Sequence, residues 1–494
     1  MKKSMMVTAA LLVWATGCSG TSEGPGGKVP GKATGPTDSK GNEVSAAAVN
    51  KFNAALDGMA QHDKAGDWND ASCTASAAAF VEAAKEQGDK TFGEALYNAG
   101  LSNQRCKKDK EAKDFFKQVL DKDPKFHRAR AQLALYAFAE SGEKNFDQAI
   151  SEMRQAAITD AQFKNVEALV NLGMLYIKRN NQTADSDGPT DLGRAKKYIQ
   201  SALAVDDGFM PAFNQLAILY METANQKAGR DAKQKTATNG AKQKKVDTQA
   251  LELAALVCSQ AVRKNPKYAP VHNTAGMIQV ELGNLNSAVG EFNNARTIDP
   301  TFYEAQMNYA AVNLQFRGFA QAEEAYRAAL KMRPTDYDAH LGLALALRGQ
   351  IDESNFDKKV AEAAAEIDAA KKAAPDRAET YYNEAILTQE YKAKSGGKSE
   401  GELINAKGLF GQFVQKAGSA AEFADAVKRS KDRMTEIDQI IDFNKQSEAQ
   451  RKASEADLKQ KAAEAEAKEG AEGEAGDKGD KGGDAGDKKE APKQ

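Results

Sequence analysis

Between residues 90 and 420, apolar positions recur every three or four residues in blocks of about a dozen, and polar residues fill the other side of each block. That rhythm is the signature of α-helices with one buried stripe. The blocks come in pairs, and the pairs are punctuated. Pro266, Pro300 and Pro334 follow one another at 34-residue steps. Inside those steps, Gly276, Ala288, Phe292, Ala295 and Pro300 are spaced by 12, 4, 3 and 5 residues, and Ala310, Ala322, Tyr326, Ala329 and Pro334 repeat the same intervals. Gly100, Ala112, Phe116, Val119 and Pro124 repeat them again without a gap.

Each position in this pattern has a physical reason. The first small residue lets the two antiparallel helices of a pair approach closely. The trio that follows (small, aromatic, small) places a large side chain between two gaps on one helical face. Proline closes the second helix because it cannot continue one, and Asn265-Pro266 and Asp299-Pro300 are turn-forming pairs. Weaker versions run through Asn171-Leu172-Gly173, Leu216-Ala217 and Leu343-Ala344, and before residue 90 only Gly66-Asp67-Trp68 and Ala71 hint at a degenerate first unit. The period and internal spacing resemble the tetratricopeptide (TPR) repeat. The resemblance implies an all-α, right-handed TPR solenoid of about eight to nine helix pairs, with a C-terminal capping helix.

The segments Asn180 to Asp191, Ala224 to Thr248, Gly349 to Phe356 and Lys392 to Glu402 lengthen the turn within a pair, and insertions at one structural point should emerge from one edge of the array. The expected organisation is a leader at 1–17, an acylated cysteine and flexible tether at 18–44, repeats at 45–418, a capping and extended helix at 419–463 and a disordered Gly/Asp/Lys tail at 464–494. The leader rests on Lys2, Lys3 and the uncharged apolar run Met5 to Ala15, which is too short to span a bilayer. It ends in Ala15-Thr16-Gly17-Cys18, which resembles a bacterial lipobox acylated on Cys18; the plain alternative is a secretory leader with a cysteine beside it. By the same resemblance, Ser19 rather than Asp favours the outer membrane, facing the periplasm.

Chemistry-bearing residues are sparse. The four histidines, His62, His127, His272 and His340, form no metal-binding pair, and no GxSxG occurs. Gly26 to Lys32 has Walker A spacing, but Ala33 follows where Ser or Thr is needed. Asp185-Ser186-Asp187-Gly188 has a calcium-loop look, yet aligning Gly188 with the loop glycine puts Thr183 and Arg194 at the first and last ligand places. No catalytic residue, metal site or cofactor is therefore expected, and no small-molecule substrate. With 68 Lys+Arg against 70 Asp+Glu, nothing draws the chain as a whole to nucleic acid. Cys73 and Cys106 lie about one repeat apart and are the candidate disulfide, two free thiols being the alternative. Cys258 takes an aromatic place in a second helix and reads as a buried apolar residue.

The candidate binding surface is the concave face formed by first helices. The residue after each small position includes Leu135, Met174, Ile218, Met277 and Leu345, and one turn further come Phe138, Ile177, Met221, Val280 and Leu314. Val170, Met307 and Leu341 continue that face one turn earlier. These rows are either an apolar, Met-rich groove for a client polypeptide or extra core buried by tight repeat packing. A second candidate is the basic insertion loop with Lys227, Arg230, Lys233, Lys235, Lys242, Lys244 and Lys245, suited to an anionic partner or simply solvated. In layout the chain resembles the TPR lipoproteins of adventurous gliding motility in myxobacteria. That resemblance implies a non-enzymatic scaffold, tied to the membrane by its N-terminal lipid and partnered by periplasmic and outer-membrane proteins. The alternative is a TPR lipoprotein assisting assembly of a secretin, pilus or β-barrel.

Overall fold

The computed structural model describes residues 38, 42–65, 67–88, 92–158, 165–236, 247–394 and 399–475. Within them the named elements are helical, and Asp185 and Gly188 are joined by an isolated bridge. No helix among the described residues is long and apolar enough to cross a membrane. The chain divides into two units, Lys2–Pro334 and Thr335–Gln494.

The first unit is a run of antiparallel helix pairs, seven among the described residues. They are α1 (Ala46–Ala65) with α2 (Asp70–Glu86), α3 (Gly93–Arg105) with α4 (Asp109–Lys122), and α5 (His127–Glu140) with α6 (Phe146–Ile158). Then come α7 (Val166–Arg179) with α8 (Asp191–Val205), α9 (Met210–Thr236) with α10 (Thr248–Lys264), α11 (Ala269–Glu281) with α12 (Leu285–Ile298), and α13 (Tyr303–Gln315) with α14 (Phe319–Met332). The second unit holds α15 (Tyr337–Arg348) with α16 (Phe356–Ala373), α17 (Ala378–Glu390) with α18 (Ser399–Ala417), and the long α19 (Ala424–Ala475).

The spacing pattern is the packing seam. A Cβ built on Gly100 would lie 2.5 Å from the Phe116 ring, and one on Gly276 would lie 2.5 Å from the Phe292 ring. The glycine is thus a socket for the aromatic of its own second helix. Phe116, Phe292 and Tyr326 are fully buried with their flanking Ala112, Ala288, Ala295, Ala322 and Ala329. Burying each aromatic side chain contributes about 1.5–3 kcal/mol.

The prolines also mark a second device, which the pattern of apolar residues does not reveal. The side chain six residues after the proline reaches back to the proline carbonyl. Arg130 bonds Pro124 O at 3.0 Å, His272 Nε2 bonds Pro266 O at 3.0 Å, Gln306 bonds Pro300 O at 3.2 Å and Tyr381 Oη bonds Pro375 O at 3.0 Å. These donors satisfy a carbonyl left over where the second helix ends.

Three expectations need adjustment. The array starts slightly inside the tether: Val44 is buried against Ala48, Ala83, Phe92 and Ala95, and Ser45 Oγ accepts the Ala48 N–H at 3.1 Å as an N-cap. The insertion after Ala224 is not a loop throughout, because α9 continues to Thr236. The final helix passes the expected limit at 463 and ends at Ala475. Its run of Ala, Glu and Lys is strongly helix-forming, and exposed pairs such as Glu448–Lys452 (2.7 Å) and Asp457–Lys461 (2.8 Å) sit at helical spacing. Cys18 and residues 237–246 and 476–494 lie outside the described residues.

Candidate functional site

The first helices carry the candidate binding rows, and their side chains are mostly core. Leu135, Phe138, Val170, Met174, Ile177, Ile218, Met221, Met277 and Met307 in the first unit are buried, as is Leu341 in the second. Of the two readings left open by the sequence, burial at these ten positions matches the core. The physical reason is close contact between successive first helices. It is marked by a polar ladder that the apolar spacing did not disclose: Thr274 Oγ1 donates to Asn214 Oδ1 at 2.7 Å, Asn308 Nδ2 donates to Asn273 Oδ1 at 2.9 Å, and Gln104 Nε2 donates to Gln132 Oε1 at 3.2 Å. Most of these residues sit two or three places before the small residue, so a search for polar residues in that column would have found them.

What remains open is narrower. Val280 on α11 and Leu314 on α13 are half-buried, Ala311 beside them likewise, and Phe316 at the end of α13 is 47% exposed. Val280 and Leu314 occupy equivalent places in successive repeats, both on first helices. In the second unit Leu345 is the half-buried member of its row.

A second feature is the α7–α8 insertion, where the ordering is electrostatic. Arg194, almost fully buried, bonds Asp185 Oδ1 at 2.8 Å, Asp191 Oδ1 at 2.5 Å, and the Thr183 and Gly188 carbonyls at 2.7 Å each. Arg179 meets both Asp191 oxygens at 2.9 and 2.8 Å and reaches Asp147 at 2.6 Å. The Asn181 N–H donates to Asp191 at 2.7 Å. Arg154 joins Asp187 (2.6 Å) to the Tyr176 hydroxyl (2.8 Å), and Tyr198 Oη also bonds Asp187. The guanidinium of Arg194 occupies the interior toward which a calcium loop would turn its oxygens. Burial pushes the Asp191 carboxyl upward, but the bonds from Arg179, the Asn181 N–H and Arg194 outweigh it, and its pKa falls below the usual carboxylate value. Asp185 and Asp187 are lowered in the same way. This network is therefore a structural clamp.

Known proteins bear on the assignment. No family model matches the chain. The Hsp70-Hsp90 organizing protein of Triticum aestivum is 25% identical over 112 residues, which are 21% of this chain and 19% of that protein, so the chain spans about a fifth of that curated relative. Among solved structures, a thermophilic TPR protein of Thermus thermophilus is 21% identical, with 45% of this chain and 99% of that one covered and a TM-score of 0.35. PilF of Pseudomonas aeruginosa is 16% identical, with 52% and 98% covered and a TM-score of 0.35. These likenesses concern fold alone, and the helix pairs with their 34-residue seam decide it. The chain has a TPR fold.

The TPR pairs present no catalytic arrangement among the described residues. Cys258, His272 and Glu291 come from three successive helices and resemble a nucleophile–base–acid set, but the geometry fails. His272 Nδ1 lies 2.7 Å from Glu291 Oε2 and its Nε2 lies 3.0 Å from Pro266 O, so both ring nitrogens face acceptors and neither serves the thiol. The Glu291 hydrogen bond, opposed by burial and helped by the Pro266 carbonyl, raises the imidazole pKa. Burial, with the Glu291 charge, pushes the Cys258 thiol up to about 12, which leaves it a neutral packing residue. His340 makes the equivalent contact with Glu366 at 2.6 Å. Among the described residues no group of His, Cys, Asp and Glu is arranged to hold a metal ion.

Cys73 on α2 and Cys106 at the end of α3 are bonded, with Cα atoms 6.3 Å apart. Beside them Arg105 grips both oxygens of Asp63 on α1 at 2.7 and 2.8 Å. Disulfide and ion pair together fasten the degenerate first TPR pair to the second. Of the basic insertion, Lys227, Arg230, Lys233 and Lys235 fall on the helical extension of α9, while Lys242, Lys244 and Lys245 lie outside the described residues.

Proposed function

We propose that this protein is a lipid-anchored TPR scaffold of the bacterial envelope, held by acyl groups on Cys18 to the outer membrane on its periplasmic side, where it serves as a structural component of the gliding motility machinery. The observation that carries the reading is the Cys73–Cys106 bond inside a non-catalytic TPR array whose sequence opens with Lys2, Lys3, the apolar run to Ala15 and Cys18. Disulfides persist in oxidising compartments, and the periplasm is one. The lipid fixes one end, and the helix pairs supply protein-binding surface. The half-buried Val280, Ala311 and Leu314 are the contact point for an envelope protein, because in the first unit they are the part of the first-helix rows that solvent reaches.

Two measurements test this. Fatty-acid labelling in cells should mark the wild type and leave Cys18→Ala unlabelled. Affinity recovery from crosslinked cells should return periplasmic and outer-membrane gliding proteins. Recovery of a secretin or barrel-assembly factor without motility proteins would replace the motility role with assembly of an outer-membrane complex. An unlabelled wild-type chain in the cytosol would remove the anchor as well.

A further inference from the structure

Among the described residues, the leading face of the first helix pair is open. Between α1 and α2 lies a cavity of about 400 Å³ whose walls are Ala54, Gly58, Ala75 and Ala79, with Ala55 and Met59 behind them. Lys51, His62 and Glu82 stand at its mouth. Nothing lies within 4 Å of where a Gly58 Cβ would be, so the floor is vacant space rather than a close backbone approach. In a repeat array each pair covers the face of the next, and terminal faces require a cap. In the second unit that requirement is met: α19 lays Ile437 and Ile441 against Leu403, Ala406 and Phe410 of α18. The α1–α2 face has a groove where such a helix would lie.

The same chain carries a convex counterpart. On α19, Ile440 is 37% exposed and Phe443 is 67% exposed, one helical turn apart and flanking the stripe that carries Ile437 and Ile441. Large apolar side chains standing on one helix suit a cavity walled by small ones, as knobs suit holes. Charge gives a register. Glu436 is exposed and precedes Phe443 by two turns, just as Lys51 precedes Gly58 by two turns. Seating Phe443 over Gly58 with the two helices parallel therefore brings Glu436 beside Lys51, which also holds Glu86 at 2.7 Å.

We propose that the α1–α2 groove receives the Ile440–Phe443 face of α19 from a second copy of this chain. The contact joins different surfaces on the two copies, so it is head-to-tail, and repetition yields chains of molecules unless the rotation closes a ring. This self-association stands independently of the envelope role and of any client on the Leu314 strip.

Sedimentation velocity on the full chain tests it. The wild type should gain mass with concentration. Phe443→Asp, at an exposed position, and Gly58→Lys, whose side chain enters vacant space, should each abolish that gain while leaving helical content and unfolding midpoint unchanged. Mixing a Gly58→Cys chain with a Phe443→Cys chain under mild oxidation should give a covalent dimer. A wild type that stays monomeric, or association that survives both substitutions, would overturn the proposal. So would a mixture that yields no more covalent dimer than either cysteine chain yields alone.

Discussion

The seam between the helices of each TPR pair and the insertion between α7 and α8 reach the same end, a fixed buried structure, by different means. The seam works by shape. Gly276 yields space that Phe292 fills, and alanines on either side close the gaps. The insertion works by charge, with Arg194 at its centre bonded to two aspartates and two carbonyls. Shape repeats because the same steric problem recurs in every pair. The charge network occurs where an added stretch of chain has no apolar side chains to bury and must satisfy its backbone groups another way. The seam should therefore be indifferent to pH and salt, while the insertion should not.

The largest break in the comparison comes from emptying the seam. Phe292→Ala should cost about 3–5 kcal/mol, read from urea unfolding, because the cavity between Gly276 and its flanking alanines cannot collapse. Arg194→Met should cost about 3 kcal/mol by taking the buried cation away from Asp185, from one Asp191 oxygen and from the Thr183 and Gly188 carbonyls. Hydrogen exchange should place that loss at residues 180–190 and α8 and spare α11–α12. The paired change Arg194→Met with Asp191→Leu should not recover it, since Arg179 and the Asn181 N–H then lose Asp191 as well. A smaller test sharpens the role of shape. Gly276→Ala would favour an isolated helix by about 1 kcal/mol, yet here the added Cβ meets Phe292 and the net effect should be destabilising.

Acid and alkali should act on different parts of the molecule. Asp185, Asp187 and Asp191 have folded pKa values below their ordinary ones, so the stability they contribute is present above about pH 4 and is lost as pH falls through the folded values. His272 has a folded pKa raised by Glu291, so its contribution is complete below an unfolded pKa of about 6.5 and is lost as pH rises through the folded value. Residue-resolved exchange across a pH series should show the α7–α8 insertion loosening in acid and the α10–α11 turn loosening in mild alkali. Phe292 and its neighbours should stay level. Loosening in one direction only would mean that one of the two polar devices does not stabilise the fold.

The periodic part of this fold was legible because it is written in residue size. Glycine, alanine and phenylalanine at fixed intervals specify where helices touch, and the structure places Gly100, Phe116, Gly276 and Phe292 at those contacts. Residues that act through hydrogen bonds were harder to read. Asn214, Asn273, Thr274 and Asn308 lie in the polar gaps between apolar positions, and nothing in their spacing says whether they meet solvent or one another. The sequence leaves groove and core open for a related reason. Helical periodicity shows that Leu135, Phe138 and Met174 share a face, but the distance to the next first helix decides whether that face is open. That distance depends on the ladder. Thr183 and Arg194 were recognised as wrong for calcium, while the inward turn of the arginine as a replacement cation became visible only in three dimensions.

The central claim is that the first-helix rows of the first unit are core except around Leu314, and that a partner protein is held there. Photo-crosslinking in living cells tests it most directly, with the reactive side chain introduced at Leu314 in one strain and at Leu135 in another. The account predicts a discrete adduct with an envelope protein from position 314 and none from position 135. Equal capture at both positions, or capture at 135 alone, would contradict it.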